Sequence, residues 1–178
     1  MKTDLSLRMS NLIKQDINEL DHKFGDGPFI HAAIKDLEQG KSSGIKSATL
    51  FKKLPLKGFW HAHYYTARFV PQNLINELKT EGGIGKHVTD TLGGAPRITP
   101  EMIDDLVWKR IVGAGVRRRD RNKLTGEWIV FLRHEDENYY LCCATHTLNS
   151  SEERSLYERI MDGGSHNFPG LLTEYRGR

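Results

Sequence analysis

Two apolar runs near the C-terminal end constrain this chain most. Trp128-Ile129-Val130-Phe131-Leu132 and Tyr139-Tyr140-Leu141-Cys142-Cys143-Ala144-Thr145 flank the polar stretch Glu135-Asp136-Glu137-Asn138. Aromatic and β-branched side chains suit a pleated strand, and a short polar turn between two such runs folds them back antiparallel. The sequence therefore predicts a β-hairpin over 127–145. A hairpin alone is marginal in water, so the rest of the chain must supply strands or helices to cover it.

Upstream, the period is helical. Leu5, Met9, Leu12, Ile13, Asp16 and Leu20 recur at spacings of three and four, all apolar except Asp16, and predict an amphipathic helix over 3–24. Gly25-Asp26-Gly27-Pro28 breaks it. A second helix is expected over 28–39, opened by Pro28, stopped by Gly40 and buried through Ile30, Ile34 and Leu37. Residues 41–57, with Lys41-Ser42-Ser43-Gly44, read as a polar connection, and Phe59 to Val70 as a strand. A short helix follows Pro71 to about Thr80. Residues 81–98 hold five glycines and a proline and read as a mobile loop. Thr99-Pro100 opens a helix that Gly113 and Gly115 should end. Arg117 to Lys123 reads as a basic loop. Ser150-Ser151-Glu152-Glu153 has the capping-box form, so a helix should run to about Met161, followed by a tail that is loosely ordered or docked. The expected fold is α+β: a helical N-terminal portion followed by a small, mainly antiparallel sheet with packed helices.

A length of 178 residues fits one domain. It subdivides into a helical portion at 1–45, an α+β core at 50–162 and a tail at 163–178. With 38% hydrophobic and 28% charged residues there is enough apolar surface for one core, and collagen-like, coiled-coil and wholly disordered classes are excluded. No apolar run is long enough for a membrane span, so no membrane partner is expected. Charges interrupt the opening Met1-Lys2-Thr3-Asp4-Leu5, leaving no signal-peptide core. Adjacent Cys142 and Cys143 would point to opposite strand faces and are poorly placed to pair. Both features lead us to expect a cytoplasmic protein. The net charge of +3 leans toward acidic partners.

Three places carry side chains suited to chemistry. On a strand, His61, His63 and Tyr65 share a face, with Lys57 and Arg68 near its two ends. Paired imidazoles serve as base and acid near neutral pH, although a half-exposed strand bearing outward histidines gives the same pattern. At the hairpin's end, Thr145-His146-Thr147 offers a third imidazole and a hydroxyl. Arg117, Arg118, Arg119, Arg121 and Lys123 against Asp120 leave four excess positive charges, which suit a phosphate backbone; a solvated loop is the plainer alternative. Lys52 and Lys53 also precede the histidine strand, and Trp128, Tyr139 and Tyr140 could stack on unpaired bases.

Other chemistries fit less well. His61, His63, His146, Cys142 and Cys143 include zinc-ligand types, but no C-x-x-C or H-E-x-x-H spacing is present, so no metal or other cofactor is expected. Gly82-Gly83-Ile84-Gly85-Lys86-His87 fails the P-loop pattern, since Thr80 stands where its first glycine belongs and His87 replaces the Ser/Thr. No G-x-S-x-G elbow occurs. Cys142 near His146 would allow a thiol nucleophile, but strand thiols in apolar runs are usually packing residues.

Lys57-Gly58-Phe59-Trp60-His61-Ala62-His63-Tyr64, preceded by Leu54 and Leu56, resembles the "L-x-G-hydrophobic-W" strand of RelE-like toxins. Over about 50–147 the layout is similar to the wider barnase/EndoU/colicin/RelE group of RNA-cleaving toxins, and the histidine pair is closer to colicin-like and EndoU-like usage. The resemblance implies a metal-independent endoribonuclease. His61 or His63 would take the proton of an RNA 2′-hydroxyl, whose oxygen attacks phosphorus. The other histidine, or His146, would protonate the leaving 5′-oxygen, with Tyr65 and Thr145 beside them. Lys57, Arg68 and the 117–123 cations would hold RNA and offset the charge on the phosphorane. His61→Ala and His63→Ala would then each lower activity by on the order of 10²–10⁴. RNA is the expected partner, together with an acidic antitoxin or immunity protein. Two other classes fit the same residues: a non-catalytic nucleic-acid-binding module, and a protein-interaction or regulatory domain.

Overall fold

A computed structural model describes residues 3–41, 45–146 and 149–175. Ser42, Ser43, Gly44 and Thr147, read above as loop residues, lie outside them. Among the described residues the fold is α+β, with N-terminal helices preceding a four-stranded antiparallel sheet. No helix among them is long and apolar enough to cross a membrane. Contacts divide the chain into two compact units, a sheet unit (1–41, 47–65, 126–178) and a helical unit (42–46, 66–125). The N-terminal helices belong to the sheet unit.

In the sheet unit the strands run in the order β1 (Thr49–Leu50), β2 (Trp60–Tyr64), β3 (Glu127–His134) and β4 (Glu137–Ala144). The β3–β4 hairpin turns through Glu135 and Asp136, both at positive φ (48° and 63°), the twist that a two-residue hairpin loop needs. Its strands are not half-exposed. Trp128 to Leu132 and Tyr140 to Cys143 are buried throughout, because helices cover both faces of the sheet. This is why the two runs are continuously apolar.

On one face, Phe59, Trp128, Val130, Leu132 and Cys142 form the core with Leu156, Ile160 and Met161 of α7 (Ser150–Gly164) and with Phe168 and Leu172 around α8 (Pro169–Tyr175). Part of the tail is α8, docked through Leu172, which completes this core. The capping box sits one residue earlier than predicted. The Asn149 side chain accepts from Glu152 N–H, and Glu152 reaches back to Asn149 N–H.

Elsewhere in this unit, α1 (Asn11–Phe24) packs against β4 and α2 (Gly27–Gln39) against β2, burying Ile13, Ile17, Ile30 and Ile34. The single helix expected over 3–24 is instead a 3-10 turn (Leu5–Arg8) followed by α1. The break is chemical. Ser10 Oγ accepts from Ile13 N–H as the helix cap and donates to Leu141 O at 2.6 Å, while Ser10 N–H donates to Tyr140 O at 3.0 Å. Ser10 thus ties the start of α1 to the β4 edge.

In the helical unit, α3 (Val70–Thr80), α4 (Gly83–Leu92), α5 (Pro100–Asp104), a π-helical stretch (Asp105–Val112) and α6 (Gly113–Asp120) pack together. Four expectations change here. The strand read over 59–70 ends at Tyr64 and gives way to a 3-10 turn at Ala67–Phe69. The glycine-rich "loop" contains α4, entered through Gly82 and Gly83 at φ 98° and 87°. Gly113 and Gly115 do not end their helix: a Cβ at Gly115 would lie 3.1 Å from Leu74 Cδ2, so glycine lets α6 approach α3 closely. The basic "loop" is consequently the end of α6 and the turn after it.

Candidate functional site

The site grows from the register of β2, β3 and β4. His63 lies opposite Trp128, and Trp128 opposite Ala144. His61 precedes His63 by one pleat, and His146 follows Ala144 by the same step. Period-two alternation thus puts three imidazoles and one indole on the same sheet face. The ring centroids of Trp128 lie 4.7 Å from His61, 6.5 Å from His63 and 4.5 Å from His146. His63 stacks on His146 at 5.8 Å with 19° between the planes, and meets His61 edge-on at the same distance. Phe51, from the stretch expected as a polar connection, closes the far side at 4.4 Å from His61 and 5.2 Å from Trp128.

Burial grades across the cluster. His61 and His63 are buried and His146 is exposed. The half-exposed strand of outward histidines therefore does not describe this protein. His63 Nδ1 lies 3.0 Å from the Gly126 carbonyl, which can only accept; its contact with Gly126 N–H is longer, at 3.4 Å. The shorter contact puts the proton on Nδ1 and leaves Nε2 as the basic nitrogen.

Tyr65 lies just past the end of β2, half-buried, and burial pushes its phenol above the ordinary value, so it stays a hydrogen-bond donor. Thr145 is exposed beside His146. The thiols take no part, because burial pushes Cys142 up to about 12 and Cys143 also well above a normal thiol. Among the described residues no three His, Cys, Asp or Glu side chains are grouped to hold a metal ion.

The residues predicted to bind substrate fare unevenly. Lys57 is exposed in the loop before β2. Arg68 is exposed in the helical unit, its guanidinium 4.4 Å from the Phe69 ring centroid. Most of the 117–123 charge is already committed within that unit. Arg117 clasps Glu81 through two bonds of 2.9 and 2.8 Å. Arg118 donates to Asn73 at 2.8 Å and lies 3.7 Å from Glu77, to which Arg121 donates at 2.7 Å. Arg119 reaches only its neighbour Asp120, at 3.4 Å, and Lys123 is exposed. An expected surplus of four charges is in good part an internal lattice around buried Glu77.

Sequence reasoning missed Phe51 and the Gly126 carbonyl. Phe51 carried a signal, an aromatic within an otherwise lysine-rich stretch, but only strand pairing brings it to His61. The sequence matches no family model, and neither a curated protein nor a solved structure matches it.

Proposed function

We propose that the chain is a metal-independent ribonuclease in which His63 and His146 exchange protons with an RNA phosphodiester. The observation that carries this reading is the stacking of these imidazoles at 5.8 Å, one exposed and the other held by a backbone carbonyl. In-line attack by a 2′-hydroxyl needs one group to take a proton and a second to give one, both near the same phosphate. His146 meets solvent and substrate. His63, with basic Nε2, is its partner. His61, wedged between Phe51 and Trp128, positions the cluster rather than touching substrate. The imidazolium form of the acid also offsets charge on the phosphorane. The products are a 2′,3′-cyclic phosphate and a free 5′-hydroxyl.

The test incubates purified protein with total RNA in a metal chelator, beside the His63→Ala/His146→Ala variant. Cyclic-phosphate fragments from the wild type alone are expected. Intact RNA with the wild type, or equal cleavage by the variant, would sink the proposal. One observation favours a second reading, a protein-interaction domain: Ile103, Val107, Trp108, Val112 and Val116 lie exposed along one helical run, Trp108 by 64%. RNA that stays both uncut and unbound would favour it.

A further inference from the structure

Within the helical unit, Glu81, Lys86, His87, Asp90, Arg110 and Arg117 line a cavity of about 320 Å³. We infer that it binds a small phosphate-bearing anion. Both carboxylates are spent: Glu81 accepts two bonds from Arg117, and Asp90 pairs with Lys86. The donors are not. His87 is 95% buried, and neither ring nitrogen has a hydrogen-bond partner. Its Nε2 lies 3.2 Å from Glu81 Oε2, off the line that a hydrogen bond requires, and Nδ1 has no hydrogen-bond partner. Arg110 touches a carboxylate only through Nε, 3.8 Å from Asp105, and Asp105 is bonded to Lys109 at 2.8 Å.

A buried imidazole without a partner costs free energy that a native fold seldom leaves unmet. A neutral imidazole presents one donor and one acceptor, so at least one of the unmet groups is a donor, and three cations against two carboxylates favour a partner that accepts and carries negative charge. A guanidinium fork favours planar pairs of oxygens, as phosphate presents them. The volume sits at the small end of ligand pockets, which suits a terminal phosphate on a small molecule rather than a polymer backbone passing through. The glycine-led entry into α4 brings Lys86 and His87 to this wall within one turn. The inference does not depend on the ribonuclease reading, and its readout involves no RNA cleavage.

The experiment titrates the intact protein with inorganic phosphate while following the His87 ring signals by NMR. Arg110→Gln and Arg119→Gln are run alongside. The Arg110 side chain is 43% exposed, so its replacement keeps the fold; Arg119 is the control, since it contacts only Asp120. A saturable shift is expected, weakened about tenfold by Arg110→Gln and unchanged by Arg119→Gln. Acetate and a dinucleotide phosphodiester should each bind more weakly than phosphate. A shift that never saturates, equal affinity in Arg110→Gln, or tighter binding of either competitor overturns the proposal.

Discussion

Asp16 is the one polar member of the apolar stripe on α1, and the sheet explains why it is there. Its Oδ2 accepts from Cys143 N–H at 2.8 Å and its other oxygen pairs with Arg159, which also donates to Cys143 O at 2.9 Å. Two side chains thereby satisfy backbone groups of the outer strand, which would otherwise be left unpaired. Asp16→Ala should destabilise the protein by roughly 1–3 kcal/mol, because it strands the buried Cys143 N–H. Asp16→Asn keeps an acceptor for the N–H and should cost clearly less. Urea midpoints of the two variants decide; equal midpoints would refute the edge-satisfaction role. The histidines separate in the same way. His146→Ala should leave the midpoint unchanged and lower RNA cleavage by on the order of 10²–10⁴. His61→Ala, which opens a hole between Phe51 and Trp128, should lower stability by about 1–3 kcal/mol. A His61→Ala protein as stable as wild type would argue that this ring does not support the cluster.

At the scale of elements, the hairpin, α2 and α3 were legible because local rules and tertiary packing agree there. Pro28 opens α2, Gly40 closes it at φ 63°, and the apolar runs of β3 and β4 leave little choice of pairing. Several of the differences fall on glycine. At 113 and 115 it was read as a stop, yet a glycine that permits close helix packing looks the same in sequence as one that ends a helix. Gly115→Val should therefore push α6 off Leu74 and cost about 1–3 kcal/mol by overpacking, whereas a glycine at ordinary negative φ with no neighbour that close would tolerate the change nearly as well as any exposed position. Thermal unfolding of this variant separates the two. The candidate site was half legible. The shared face of His61 and His63 follows from period two alone, and His146 shares the parity of Cys142. Their meeting at Trp128 depends on register across three strands, which no local pattern fixes. The arginines of α6 look like spare charge in the sequence because Glu77 and Glu81, their partners, lie some forty residues earlier in the chain.

For the molecule as a whole, the acid limb of stability should be set in large part by Glu38. Burial alone would push its carboxyl up. Hydrogen bonds from Arg8 (2.6 Å), Tyr140 (2.8 Å) and Asn138 (3.0 Å) outweigh burial and bring it down to about 2. Above the ordinary glutamate value of 4.5 this carboxylate is ionised in the folded and the unfolded chain, and its stabilisation is fully present. As the pH falls below 4.5, the unfolded chain takes up a proton that the native state refuses until about 2. Stability should fall across that window by on the order of 3 kcal/mol. Asp16 works in the opposite sense. Burial holds its carboxyl above the ordinary 3.8 despite Arg159, so the native state takes up that proton first and gains stability as the pH drops. The wild type should therefore hold its stability down to about 4.5 and then decline. Glu38→Gln should be less stable at neutral pH, because Arg8 keeps its burial and loses its counter-charge, and its decline between 4.5 and 2 should flatten. Urea unfolding of both proteins at closely spaced pH values measures this directly. Parallel slopes in the two would show that carboxylates other than Glu38 govern the acid limb.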